Sequence, residues 1–236
     1  MKAMILAAGE GRRMRPLTEH CPKPLLPLGD RPMIEHHIAR LAAAGVTDIV
    51  INIAYLAEQI RQALGDGERW GVRIAYSYES QALETGGGVA QALPLLGEEP
   101  FLLINGDVLS DFPLDTLTTF SLPAGRLGHF ILVPNPSHHP LGDFSLTANG
   151  LLQARDEDPV GRHYTFSGIS LIRPELVANY PSRRAVFPLN EAFQWALAQQ
   201  ALSAELYRGC WIDVGTPERL AQANDYVRAH PGGLTG

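Results

Sequence analysis

The stretch MKAMILAAGEGRRMRPLTEHCPKPLLPLGDRPMIEHHIARLAAAGVTDIVINI, residues 1–53, decides the fold. Residues 2–8 are an apolar run bounded by Gly9 and Gly11, the length of a fully buried strand. A helix opens near Pro32, with Met33, Ile34, His37, Ile38 and Leu41 at i, i+1, i+4, i+5 and i+8, and it stops at Gly45. Asp48 to Ile53 (DIVINI) then reads as a second buried strand. Strand, helix and strand in this order make a βαβ unit, with parallel strands and a right-handed crossover.

The pattern continues outward from that unit. A helix runs through Leu56, Ile60 and Leu64, a strand covers Val72 to Tyr78, and a helix follows the Gly86-Gly87-Gly88 run. Buried strands come next at Phe101 to Asn105 and Gly128 to Val133. This alternation predicts an α/β fold: a doubly wound, mostly parallel, Rossmann-like sheet with helices on both faces. From Asp143 to Ile172 the segments FSLTANGLLQA and YTFSGISLI alternate with no helix between them, which predicts a small antiparallel insertion resting on the main sheet. Helical patterns return at Asn190 to Ala201 and Pro217 to His230. With no internal repeat and no linker, residues 1–236 read as a single domain.

Composition narrows the function. With 45% hydrophobic and 19% charged residues, a chain of 236 residues has the make-up of a globular protein with a sizeable core, not of a disordered or disulfide-scaffold chain. A net charge of -6 gives no basic footprint, which argues against a nucleic-acid polymer or an anionic membrane as partner. Cys21 and Cys210 lie far apart with no CxxC pair, as suits a reducing compartment, and zinc is not expected. The apolar start is too short for a signal peptide and no stretch approaches a membrane span, so the expected location is cytoplasmic.

The chemistry-bearing residues begin at Ala8-Gly9-Glu10-Gly11-Arg12-Arg13. A glycine-rich turn at the carboxyl end of the first parallel strand either closes a tight turn or cradles a phosphate with its backbone N–H groups. It lacks the GK[ST] ending of a Walker A loop, and Met14 stands where a dinucleotide fingerprint needs its third glycine. Arg12, Arg13 and Arg15, followed by Lys23 between Pro22 and Pro24, concentrate positive charge beside that turn in a negatively charged chain. Such an arrangement suits an anion with several charges, or else a solvated loop. Asp107 follows a buried strand and a glycine, which puts its carboxylate at the same sheet edge; alone, an N-cap or turn role serves equally well.

The run LAAGEGRRMRPLTEHCPKPLLPLGDRPMIEHHI, residues 6–38, resembles the signature of the sugar-1-phosphate nucleotidylyltransferases, LAAGxGxRxxPLT followed by PKPLLPxxxxPMI. Later segments agree in order. ESQALETGG from Glu79 resembles the family's base-recognition stretch ExxxLGTAGG, with Glu84 where glycine is usual. LINGD ending at Asp107 resembles the strand whose aspartate binds magnesium, and WIDVGTP resembles the WxDxGTP stretch that supplies the second metal aspartate, here Asp213.

The resemblance implies nucleotide binding by Ala8, Gly9, Gly11, Arg12, Arg13, Lys23, Glu79 and Thr85, with Arg13 and Lys23 catalytic. It implies Mg2+ held by Asp107 and Asp213, and sugar binding by Asn105, Gly142, Asp143, Asp156 and Glu157. The last four fall where the family has its YG and EKP segments; Asp158 stands in place of the EKP lysine, and Asp156 to Asp158 would serve equally as a solvated acidic turn. The nucleotide half is then about residues 1–110 and the sugar-binding insertion about 135–172. His36-His37 make a poor chelate, since adjacent helix positions face apart, so one is expected in the core and the other exposed; His138-His139 lie in a loop near the sugar segment.

An activity of this family needs no general base, because a sugar 1-phosphate is already an ionised nucleophile. It needs charge control. Two unit charges at about 4 Å repel by roughly 1 kcal/mol in water and about 4 kcal/mol at an effective dielectric of 20, and a triphosphate meeting a monophosphate makes several such pairs. The implied partners are a nucleoside triphosphate, UTP, and a sugar 1-phosphate. Within the family, a compact chain with LETGGG and no hexapeptide repeat resembles the bacterial uridylyltransferases that act on N-acetylmuramate α-1-phosphate in cell-wall recycling. A mannose-1-phosphate guanylyltransferase is the alternative, and a non-catalytic subunit of the same fold a further one. A monomer is expected.

Overall fold

The computed structural model describes residues 1–157 and 162–230. In chain order the first half contains β1 (Lys2–Leu6), the two-residue strands β2 (Pro27–Leu28) and β3 (Arg31–Pro32), α1 (Met33–Ala43), β4 (Asp48–Ile53), α2 (Ala57–Leu64) and β5 (Arg73–Tyr78). Then come α3 (Glu84–Leu96), β6 (Phe101–Asn105), β7 (Val108–Ser110), α4 (Leu114–Thr118), β8 (Gly128–Val133), β9 (Phe144–Leu146) and β10 (Leu152–Ala154). The chain continues through β11 (His163–Ile172), α5 (Glu175–Ala178), α6 (Leu189–Ala198), β12 (Leu202–Leu206), β13 (Trp211–Asp213) and α7 (Pro217–Ala229).

β1 pairs in parallel with β4 on one side and β6 on the other, and β4 pairs in parallel with β5. β11 joins this sheet antiparallel to β6 and β8, and β12 closes it parallel to β8. Strand alternation then sends side chains to opposite faces. Ala3 and Ile5, Ile49 and Ile51, Leu102 and Ile104 pack with α1, α2 and α4 in one core. Met4, Val50, Phe101 and Leu103 pack with α3, α5 and α6 in the other. The strands are apolar on both sides because both sides are covered, as the doubly wound reading requires.

Three expectations need correction. The antiparallel segment does not merely rest on the sheet: the ten-residue β11 starts against β9 at His163 and Tyr164 and ends inside the sheet against β6 at Ile169 to Ile172. The triple glycine does not precede a helix; α3 starts at Glu84 and contains all three, because residues 185–187 pack too close for a side chain at Gly86 or Gly87. His36 and His37 are both buried, since the β2–β3 ribbon covers the outer side of α1 and His36 Nε2 lies 2.7 Å from the Leu28 carbonyl oxygen. The short strands β7 and β13 and the edge strand β12 had no sequence signal long enough to mark them. Among the described residues no helix is long and apolar enough to cross a membrane.

Burial of histidines sets an acid limit on stability. Desolvation pushes His37 down to about 3 and His129 down to about 4, and lowers His36 as well. A histidine that stays neutral when folded but takes up a proton when unfolded stabilises the fold fully above its ordinary value of 6.5, and that stability is lost as pH falls toward the folded value. Each group contributes at most about 1.4 kcal/mol per pH unit. The carboxyls of Glu58 and Glu191, held at about 2 mainly by hydrogen bonds from Arg61 and Arg184, begin to matter only below 4.5. The urea midpoint is therefore expected to fall between pH 6.5 and 4.5, and a flat midpoint in that window would contradict neutral burial of these rings.

Candidate active site

The strand order β5-β4-β1-β6 reverses direction at β1: the chain winds outward through β4 and β5, then returns on the far side as β6. At such a switch point the loops leaving two neighbouring strands diverge and open a crevice at their carboxyl ends. Here those loops are Ala7 to Arg13 after β1 and Gly106-Asp107 after β6. Gly106 N donates to the Leu6 carbonyl at 2.9 Å, and a side chain at Gly106 would come within 2.6 Å of that oxygen. Glycine before the aspartate thus lets the two strand ends meet.

The crevice is a cleft of about 460 Å³ lined by Ala8, Gly9, Gly11, Arg12, Arg13, Lys23, Glu79, Thr85, Asn105 and Asp107, among others. All eight residues expected to bind nucleotide lie on its wall, together with Asn105. Gly11 sits at φ +63, and a Cβ there would press on Thr18 and Lys23 at 3.0 and 3.1 Å, so the loop packs tightly against the lysine segment. Glu84 starts α3 at φ +58, a conformation that glycine adopts freely and that other residues rarely take.

Charge in the cleft is paired. Lys23 Nζ donates to Asp107 Oδ2 at 2.7 Å, and its side chain is only 11% exposed. Arg12 Nε pairs with Glu10 Oε2 at 2.6 Å in solvent, whereas Arg13 is exposed at the rim. Asp213 comes beside the cleft, not onto its wall, from 106 residues away along the chain. β13 pairs antiparallel with β7, setting Asp213 opposite Val108, and Val214 N donates to the Asp107 carbonyl at 2.8 Å. The two aspartates thus stand at adjoining positions of one short ladder. Asp213 Oδ2 lies 3.3 Å from Arg219 Nη1 and 3.5 Å from His138 Nε2.

Other expected residues are placed differently. The buried Glu79 carboxylate accepts from Asn52 Nδ2 at 2.7 Å and from Leu83 N at 3.3 Å, and Asn52 Oδ1 accepts from Ala7 N at 2.8 Å. Glu79 therefore ties the 79–87 stretch to the loop after β1. The Thr85 hydroxyl accepts from Leu189 N at 3.0 Å, which anchors α6. Asp143 uses both oxygens, with His139 Nε2 at 3.0 Å and Phe166 N at 2.8 Å, and pins the 135–142 loop to β11. Gly142 is buried against Asn135. Asp156 and Glu157 belong to a 3-10 turn after β10; Glu157 is exposed and stands outside the cleft wall, and Asp158 lies outside the described residues.

Sequence reasoning missed Asn52, Arg219 and the contact of His138. Asn52 had a signal, being the polar residue inside the apolar run DIVINI. Arg219 and His138 had none, because only the β7–β13 ladder brings them together.

A family model described as nucleotidyl transferase matches residues 2–230. The chain is 49% identical over 226 residues to N-acetylmuramate alpha-1-phosphate uridylyltransferase of Neisseria meningitidis serogroup B, covering 94% of this chain and 96% of that one. Mannose-1-phosphate guanyltransferase beta-A of Xenopus laevis is 32% identical over 231 residues, with 92% of this chain but 62% of the relative covered. In structure, a putative glucose-1-phosphate thymidylyltransferase from Bacillus anthracis, solved with sucrose, has a TM-score of 0.86 at 23% identity, covering 97% and 95% of the two chains, and shares the fold. A glycine-rich loop and Asp107 at a switch point, with Asp213 on the adjoining strand, under a family match that spans almost every residue, lead to one assignment: the chain belongs to the nucleotidyl transferase family.

Proposed function

We propose that the chain transfers a uridylyl group from UTP to N-acetylmuramate α-1-phosphate, releasing pyrophosphate and forming the nucleotide-linked sugar. The observation that carries this reading is the 49% identity, over nearly the full length of both chains, to the relative of that name. An oxygen of the acceptor phosphate attacks the α-phosphorus, and the bond from that phosphorus to the bridging oxygen of the leaving pyrophosphate breaks. On this reading the backbone N–H groups of the Ala8 to Gly11 loop hold the triphosphate with Arg13 and Lys23, which is supported by the presence of Ala8, Gly9, Gly11, Arg13 and Lys23 on one cleft wall. Residues of the first half hold the nucleotide, and the acceptor enters from the side of Asn105, Gly142 and Trp211.

Asp107 and Asp213 fit a magnesium ion. Their backbones adjoin in the β7–β13 ladder, and both are hard oxygen donors already set against cations, Asp107 against Lys23 and Asp213 against Arg219, which supports a magnesium ion that takes phosphate and water oxygens as its further ligands. When bound, magnesium would neutralise part of the phosphate charge. A reaction on a soluble nucleotide by a chain with no spanning helix among its described residues fits a cytoplasmic step that returns a cell-wall sugar to use.

The test is a pyrophosphate-release screen of UTP, GTP, CTP and dTTP against N-acetylmuramic acid, N-acetylglucosamine and mannose 1-phosphates. The highest kcat/KM is expected for UTP with N-acetylmuramic acid 1-phosphate. A higher value for GTP with mannose 1-phosphate would overturn the reading.

A further inference from the structure

The 213–216 turn divides two depressions. On one side is the nucleotide cleft; on the other is a basin of about 400 Å³ whose walls include Ser137, His138, Trp211, Asp213, Arg219 and Gln222. The cleft and the basin meet at the 213–216 turn: Gly215 faces the cleft, while Asp213 and Thr216 face the basin. Thr216, Arg219 and Gln222 follow at intervals of three, so one face of the first turns of α7 forms the basin floor.

The charges here do not balance. Arg219 is a guanidinium with 13% side-chain exposure, and its Nε and Nη2 are buried without a hydrogen-bond partner among the described residues. Its ion-pair partner among those residues is Asp213, at 3.3 Å, and Asp213 Oδ2 is shared with the His138 ring at 3.5 Å. Arg13 Nη2 approaches the same turn, 3.2 Å from where a Gly215 side chain would begin. One carboxylate thus serves a buried cation and a second nitrogen donor, beside a wall formed by an indole whose own N–H is already taken by the Ser167 carbonyl at 2.8 Å. A desolvated guanidinium short of partners is costly, and an arriving anion relieves that cost.

We propose that this basin holds a second anionic group of the acceptor, a carboxylate carried on the sugar, with Arg219 and His138 as the residues that select it. The acceptor's phosphate has to lie in the cleft, next to Arg13, Lys23 and the nucleotide. A carboxylate across the sugar ring then falls over the 213–216 turn, into the basin. A carboxylated sugar phosphate is the acceptor chemistry that uses both depressions at once, and an acceptor lacking the carboxylate leaves Arg219 underpaired. The inference rests on the proposed acceptor and deepens it.

The test compares N-acetylmuramic acid 1-phosphate with N-acetylglucosamine 1-phosphate, which differ by the lactyl ether alone, using UTP and the full chain. The variants are Arg219→Gln and, in case that substitution disturbs folding, the exposed basin-wall changes Gln222→Glu and Ser137→Asp, which set a negative charge against the carboxylate. The ratio of kcat/KM between the two acceptors is expected to fall about tenfold or more in each folded variant, through a raised KM for the carboxylated acceptor. If wild type prefers the carboxylated acceptor and the variants keep that preference, or lose both acceptors equally, the inference is overturned while the substrate reading stands. If wild type shows no such preference, the substrate reading falls and the inference falls with it.

Discussion

Replacing Lys23 by methionine is expected to lower kcat by roughly a hundredfold or more, equivalent to about 3 kcal/mol of lost transition-state stabilisation, while the chain stays folded. The size follows from where the lysine sits. Its stem is buried between Pro22 and Pro24 and against Gly11, and its ammonium is fixed on Asp107 at the floor of the cleft. A preorganised cation of this kind needs no rearrangement when charge builds on the transferring phosphoryl group, so its contribution belongs to the transition state and not to ground-state binding. Methionine keeps most of the apolar stem and removes only the charge. The measurement is kcat and KM for UTP, with the melting temperature as control. An unchanged kcat in a folded variant would remove Lys23 from the machinery; a raised KM alone would make it a binding group.

The second large effect is expected at the aspartates. Asp107→Asn and Asp213→Asn should each weaken metal binding by more than the roughly 10–100-fold that outer partners of a metal site typically carry, and turnover should fall with it. The two variants are not equivalent. Loss of the Asp107 charge also releases Lys23, whereas loss of the Asp213 charge leaves Arg219 without its anion. Asp213→Asn should therefore cost more thermal stability than a surface substitution, because it strands a cation that is largely buried. Direct titration with manganese separates ligand loss from catalytic loss. A residue whose substitution leaves that titration unmoved is not a ligand.

Much of this was legible in the sequence, for identifiable reasons. The strands DIVINI, FLLIN and GHFILV were found to the residue because both faces of the sheet are buried, and such strands are continuous apolar runs between polar breaks. That Ala8 to Arg13 and Asp107 share one sheet edge was legible because they directly follow two such runs, β1 and FLLIN. What could not be read was convergence. Asp213 meets Asp107 only through a three-residue ladder, too short for any periodicity, and the contacts of His138 and Arg219 depend on that ladder in turn. Glu79, Thr85 and Asp143 were identified as residues of consequence, yet their atoms serve neighbouring backbone. A residue type and its spacing announce that a carboxylate or hydroxyl is needed, without saying whether a ligand or an amide will meet it.

The tie from Ala7 through Asn52 to Glu79 and Leu83 has an evolutionary consequence. It bolts the loop after β1, proposed to hold the phosphates, to the 79–87 stretch, proposed to hold the base, and a side chain at Gly88 would come within 2.6 Å of Glu79 Oε1 and 2.8 Å of Asn52 Nδ2, the two ends of the bolt's central bond. A lineage changing its choice of nucleobase is free to vary the exposed positions Gln81, Ala82 and Glu84, which hang from the bolt, but not Asn52, Glu79 or Gly88, which form it. Transplanting the whole stretch between relatives of different base preference should succeed only when the asparagine on the neighbouring strand travels with it. On the proposed roles, base choice becomes a replaceable fitting on a fixed hinge-plate, and the phosphate end keeps its alignment while the other end is exchanged.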